Sequence, residues 1–220
     1  ASQNKKQYVA WQAQLALWAN ANPELALQRQ AALNKLLPED LEQQLLAALP
    51  AKTNATRRLS GDVIQKIAQL VPGFVGGSAD LAPSTSTLIK GAGEVGRGAA
   101  MGRNMHFGVR EHGMGAILNG MALYGGFVPF GATFLVFSDY MRPSIRVANI
   151  MGVQVIYVFT HDSIFVGEDG PTHEPVEHLA ALRCIPGMVE MRPADGPETA
   201  AAWAYALRHK DGPTALILTR

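Results

Sequence analysis

Hydrophobic positions change their spacing once along this chain, near residue 71. Before that point, from Tyr8 to Leu49, Ala, Leu and Gln dominate and β-branched residues are almost absent, a composition that predicts helix. Pro23 and Pro38 divide the stretch, and Pro38 followed by Glu39 and Asp40 predicts a helix start with acids in its first turn. A further helix is predicted from Ser60, where SGDVIQKIAQL sets Val63, Ile64, Ile67 and Leu70 on one face. Beyond Val71, short apolar runs alternate with helical segments. FVGGSADL is followed by MHFGV and the helix REHGMGAILNGMALYGG, then by FVPFGATFLVFSDYMRPSIRVANIM and VQVIYVF. The helix PVEHLAALRC, the helix ETAAAWAYALRHK and a last strand, TALILT, complete the series. Strands and helices in this alternation predict βαβ units: an α/β domain with a mostly parallel sheet and helices on both faces. Residues 1–55 are expected to form a helical linker or arm, and residues 56–220 the α/β domain.

Composition narrows the function. With 220 residues, 48% of them hydrophobic, the chain can bury a full core. A net charge of +1 with scattered basic residues excludes the positive field that nucleic acid demands. No run approaches about 18 apolar residues, so no membrane span is expected. The opening ASQNKKQYVAWQ lacks the apolar segment of a signal peptide. The lone Cys184 excludes an internal disulfide, fits a reducing compartment and is expected as a core filler. A cytoplasmic protein is the expectation.

Chemistry gathers at predicted strand ends, where parallel sheets place their ligands. Asp80 follows FVGGSA and Glu111 follows MHFGV. After VQVIYVF comes THDSIFVGEDGPTHEPVEH, with three of the six histidines and five carboxylates. Two tempting motifs fail on context. GAGEVG (Gly91–Gly96) matches G-x-G-x-x-G, but the glycine-rich RGAAMGRN that follows cannot open the required helix. HEPVEH separates His173 and His178 by five residues, about 140° apart on a helix, with Pro175 between them, so it does not form a zinc-protease pair. Three groups remain. Glu111 opens a helix of small and apolar residues, where burial disfavours its charged form and the helix dipole favours it. Phe134, Phe137 and Tyr140, three residues apart, form either core or a wall for a flat heterocycle. His161, Asp169 and His173 lie on a loop with Gly167 and Gly170, suited to a polyol or phosphate.

Taken in order, GGSADLAPS, GVREHGM, TFLVFSDY, THDSIFVGEDGPTHEPVE, RPADGPETAAAW and GPTALILTR resemble the middle, pyrimidine-binding domain of transketolase, from Thr56 to Arg220. The helical beginning resembles the segment that joins that family's first domain to this one. The resemblance implies thiamine diphosphate held between the first domain of one subunit and the middle domain of its partner, in a homodimer. It implies that Glu111 hydrogen-bonds the aminopyrimidine ring, that Phe134, Phe137 and Tyr140 enclose it, and that Asp80 stands beside it. Arg57, Ser84, His161 and Arg220 would hold a sugar phosphate, Asp169 a substrate hydroxyl, and His173 would sit near the reacting carbons. The implied reaction moves a two-carbon ketol unit from a ketose to an aldose phosphate, as in the pentose phosphate pathway. Glu111 and His173 are the implied catalytic groups. The family's GDG motif and its later asparagine are absent, so Mg2+ or Ca2+ would be bound by another domain, with no metal ligand expected here. The expectation is therefore a fragment of a longer enzyme, inactive alone. Dihydroxyacetone synthase, another thiamine diphosphate enzyme and a noncatalytic assembly or regulatory module are the alternatives. A deoxyxylulose phosphate synthase fits GPTHEPVE less well.

Overall fold

The computed structural model describes residues 2–220. Two helices open it, α1 (Ser2–Ala21) and α2 (Pro23–Leu33); Pro23 takes the first turn of α2, where its missing N–H costs nothing. Helix α3 (Leu41–Ala47) begins at Leu41, not at Pro38. Its Leu41 and Leu45, one turn apart, are fully buried in the main core, against the helices Thr56–Leu70 and Gly196–Arg208. The last helix of the expected arm thus shares the core of the α/β domain.

Helix α4 (Thr56–Leu70) starts four residues before the predicted Ser60. No side chain caps its N-terminus locally. Instead Thr56 N–H donates to Thr219 Oγ1 at 3.0 Å and Thr219 N–H donates to Thr56 Oγ1 at 2.8 Å. The first of these bonds satisfies a donor that the helix start leaves orphaned.

The remaining elements follow as β1 (Phe74–Ser78), α5 (Ala82–Thr85), β2 (Asn104–His106), α6 (Glu111–Tyr124), β3 (Val128–Phe134), α7 (Ser138–Met151), β4 (Ile156–Thr160), α8 (His178–Arg183), β5 (Val189–Met191), α9 (Gly196–Arg208) and β6 (Thr214–Ile217). Six strands order as β2-β1-β3-β4-β6-β5, and every pairing is parallel. Strand β4 shows why its sequence is a continuous apolar run: Ile156 and Val158 enter the core under α3, α4 and α9, while Tyr157 and Phe159 enter the core under α6, α7 and α8. On the first side Trp203 of α9 stands edge-on to Phe74, with ring centroids 5.8 Å apart at 79°, and its indole N–H donates to Ser60 Oγ at 2.8 Å. On the other side α6 and α7 approach closely at Gly115, where a Cβ would come within 2.2 Å of Ser144 Oγ.

Three expectations need correction. Strand β5 is not among the predicted strands; it is a three-residue edge strand, half-buried, with Glu190 at its centre. Helix α8 begins at His178 and not at Pro175: Glu174 is extended and Pro175 is buried in the loop ahead of the helix. Cys184 is exposed at the end of α8 and fills no core. No helix among the described residues is long and apolar enough to cross a membrane.

Candidate active site

The sheet delivers its chemistry at one rim because all six strands run the same way. Strand β1 has β2 on one side and β3 on the other, so the chain reverses its direction of winding there, and a crevice opens beyond the carboxyl ends. Asp80, two residues past β1, takes a left-handed conformation with φ of 64°, which aspartate tolerates better than most residues. Ser78 holds the turn, its hydroxyl accepting from Leu81 N–H at 2.9 Å. Beyond β2, Glu111 begins α6 and is only 8% exposed.

Aromatic residues form the facing wall. Phe134 ends β3, a 3-10 turn spans Leu135–Phe137, and Tyr140 lies in the first turn of α7. The stripe is therefore built across a strand end, a turn and a helix, not on one helix. Phe134 and Phe137 lie 5.8 Å apart at 9°, and Phe137 and Tyr140 lie 6.2 Å apart at 29°. His173 meets Phe137 edge-on at 5.5 Å and 76°. Asp80, Glu111, Phe134, Phe137, Tyr140 and His173, with Val109 at the mouth, line a cavity of about 490 Å³. That is room for a flat heterocycle between a carboxyl group and stacked rings.

The polar side begins behind Phe134. His161 stacks on that ring at 3.7 Å and has a left-handed φ of 59°. Arg57, brought in by the first turn of α4, donates from Nη1 to Ser84 O at 2.7 Å and lies 3.3 Å from His161 Nε2. Since a guanidinium can only donate, Nε2 accepts. The ring proton then sits on Nδ1, which is 2.8 Å from Thr160 Oγ1. Burial, and next the Arg57 charge, lower the His161 pKa to about 4; Arg220 and His173 act in the same sense, and Asp169 opposes. His161 is thus a neutral imidazole near pH 7. Burial also lowers the pKa of Arg57, whose Nε has no partner among the described residues. Asp169 Oδ2 stands 4.0 Å from His161 Nε2 and 3.7 Å from Arg220 Nη1. Arg220 also donates to Glu168 and to Val166 O.

All eleven residues singled out from the sequence thus lie at this rim, in two joined groups. Asp80, Glu111, Phe134, Phe137, Tyr140 and His173 surround the cavity. Arg57, Ser84, His161, Asp169 and Arg220 make the polar side, with His161 against Phe134 as the joint. The histidines of HEPVEH part company: His173 faces the aromatic wall, while His178 is buried beside Asp139. Sequence reasoning missed Val109, Thr160 and the Thr56–Thr219 pairing that places Arg57. Only their positions at strand and helix ends hinted at them.

Residues 52–220 match the family described as transketolase, pyrimidine binding domain. The chain belongs to the transketolase family. The transketolase of Geobacillus stearothermophilus is 57% identical over 215 residues, 98% of this chain and 32% of that protein. That of Bacillus subtilis is 54% identical over 216 residues, again 98% and 32%. This chain therefore spans about a third of the length of the curated relatives it matches. Among solved structures, a Pichia stipitis transketolase in complex with sedoheptulose 7-phosphate superposes with a TM-score of 0.92 at 40% identity, over 99% of this chain and 33% of that one. A split-gene transketolase, an inactive β4 tetramer, superposes with a TM-score of 0.60 at 26% identity, over 77% of this chain and 52% of its own.

Proposed function

We propose that this chain supplies the pyrimidine-side half of a transketolase active site, in which thiamine diphosphate and sugar phosphates bind. The observation that carries this reading is Glu111, a buried carboxyl group facing a stacked aromatic wall across one cavity. The residues fit a flat, nitrogen-bearing ring: apolar faces from Phe134, Phe137 and Tyr140, and a carboxyl group to exchange a proton with a ring nitrogen. Thiamine diphosphate, when bound, supplies the electron sink that lets a two-carbon ketol unit leave a ketose and join an aldose. Glu111 holds the ring and shares its proton; Phe134, Phe137 and Tyr140 exclude water; Asp80 borders the ring at the turn after β1.

The polar side suits the substrate. Arg57 and Arg220 offer guanidinium forks to a phosphate dianion, with Ser84 and the neutral His161 adding uncharged hydrogen-bonding groups. In this reading Arg220 exchanges Glu168 for phosphate. Asp169 accepts from a substrate hydroxyl, and His173, against the aromatic wall, stands where the reacting carbons would pass. The diphosphate and its Mg2+ or Ca2+ belong to another domain, brought by the partner subunit of a homodimer, since this chain has no GDG motif. Ketol transfer between sugar phosphates places the whole protein in the pentose phosphate pathway, and the single cysteine supports a cytoplasmic setting.

The test is ketol transfer from xylulose 5-phosphate to ribose 5-phosphate by the whole protein that carries this chain, wild type beside Glu111→Gln. Loss of the proton-sharing carboxyl is expected to lower turnover by about 10²–10⁴-fold. Unchanged turnover in the variant would refute the role of Glu111. No turnover in wild type, with thiamine diphosphate and Mg2+ present, would refute the reaction.

A further inference from the structure

Three side chains outside the pocket meet where α7 passes α8. Asp139 lies in the first turn of α7, and Glu177 and His178 stand at the start of α8. His178 is 5% exposed, yet neither of its ring nitrogens has a hydrogen-bond partner among the described residues. Its Nε2 is 3.2 Å from Asp139 Oδ2 and its Nδ1 is 3.9 Å from Glu177 Oε2. The closer contact is an approach of charge and ring, not an aligned hydrogen bond. One ligand atom from each of the three residues lies within 4.8 Å of the other two. Leaving a buried polar group unmet destabilises the fold. A ligand that satisfied the imidazole would offset that cost.

The geometry identifies the ligand's chemistry. Zinc binds imidazole nitrogen at about 2.0–2.1 Å and carboxylate oxygen at about 2.0–2.2 Å, so two such ligands at a tetrahedral angle stand about 3.3–3.5 Å apart. The observed 3.2 Å is close to that separation. An N–H···O bond spans about 2.7–3.2 Å, so the missing alignment, and not the distance, sets this contact apart from one. A ring nitrogen that shares an ion with an oxygen aims its lone pair at the ion and beside the oxygen, which accounts for the poor alignment here. Asp139 is half exposed and Glu177 largely so, which leaves the second carboxylate free to swing in and water free to take a fourth position. One imidazole with two carboxylates suits a borderline ion such as Zn2+; Mg2+ and Ca2+ prefer all-oxygen ligands.

We propose that Asp139, Glu177 and His178 form a zinc-type divalent cation site that pins the first turn of α7 to α8. The ion would brace the pocket wall from behind, because Tyr140 follows Asp139 directly and the loop bearing His173 leads into α8. This site uses none of the residues assigned to cofactor or substrate, and it differs from HEPVEH in recruiting Asp139 from another helix in place of His173.

The test is calorimetric titration of ZnCl2 into the metal-stripped 220-residue chain. Wild type is compared with Asp139→Asn, His178→Gln and, as control, His106→Gln, whose exposed ring lies beside Glu94. One zinc equivalent should bind with a Kd below about 100 μM. Both site variants should weaken it by at least about tenfold, with the control unchanged and Mg2+ much weaker. In wild type, zinc should also shift the ring-nitrogen resonances of His178, a readout that does not depend on any variant folding. Equal zinc affinity in wild type and both site variants, equal affinity for Mg2+, or zinc-induced shifts at other histidines but not at His178 would each overturn the proposal.

Discussion

Replacing His161 by glutamine tests the electrostatics of the polar side. Glutamine keeps an acceptor for Arg57 and removes the titration. The ring's pKa falls from an ordinary 6.5 to about 4 in the fold, first through burial and then through Arg57. A depressed histidine stabilises the fold in its neutral form, so its contribution is complete above pH 6.5 and is lost as pH falls towards 4. Between about pH 7.5 and about pH 5 the loss comes to about 1.9 kcal/mol through this ring alone. If the nearby Asp169 held the folded value about one unit higher, the loss would still be about 1.6 kcal/mol. Urea unfolding, followed by tryptophan fluorescence at both pH values, measures this directly. Wild type should lose about 1.5 kcal/mol more than His161→Gln on acidification, because every other titrating group is common to both. Parallel losses, within about 0.5 kcal/mol, would mean that His161 is not held neutral and that the burial argument is wrong.

Gly115→Ala should cost about 1–3 kcal/mol in urea unfolding, because the new methyl group meets Ser144 Oγ at 2.2 Å and Cβ at 2.9 Å. Adding Ser144→Gly should restore much of that loss. Ser60→Ala leaves the Trp203 indole N–H buried without its acceptor and should cost about 1–3 kcal/mol, read as a lowered Tm with unchanged far-UV circular dichroism. On the proposed function the 220-residue chain alone would meet only the ring end of thiamine diphosphate, so calorimetry should show no tight, Mg2+-dependent binding; such binding would place a diphosphate site within this chain.

Some elements were legible because local sequence and final burial agree. VQVIYVF reads as a strand buried on both faces, and the core takes Ile156 and Val158 on one side and Tyr157 and Phe159 on the other. Where the cause lies far away, local reading fails. Helix α4 begins at Thr56 because of Thr219, 163 residues later, and no local cap announces it. Strand β5 was lost because Val-Glu-Met is short and carries a charged residue at its centre. The Glu190 side chain is nonetheless buried, 3.3 Å from Arg183, with its pKa raised by that burial. At the site, residue types suggested candidates, but a 3-10 turn between Phe134 and Phe137 was needed to stack rings that a helix would have strung along one face. Strand order alone brought Asp80, Glu111 and Phe134 to one cavity, and parallel order cannot be read from any single strand.

The long-range bond between Thr56 and Thr219 also bears on the order in which this molecule assembles. Arg57 N–H donates to Thr219 O at 3.3 Å, so the residues after β6 dock against the first turn of α4, and that contact spans most of the sheet's sequence. Contacts of such sequence separation are expensive to close and form late. A nascent chain is then predicted to pass through a stage with its sheet largely built and Arg57 and Arg220 still apart. Pulse-labelled hydrogen exchange should find the Thr219 amide protected after those of β1, β3 and β4; simultaneous protection would instead mean that the two ends close early and template the sheet between them.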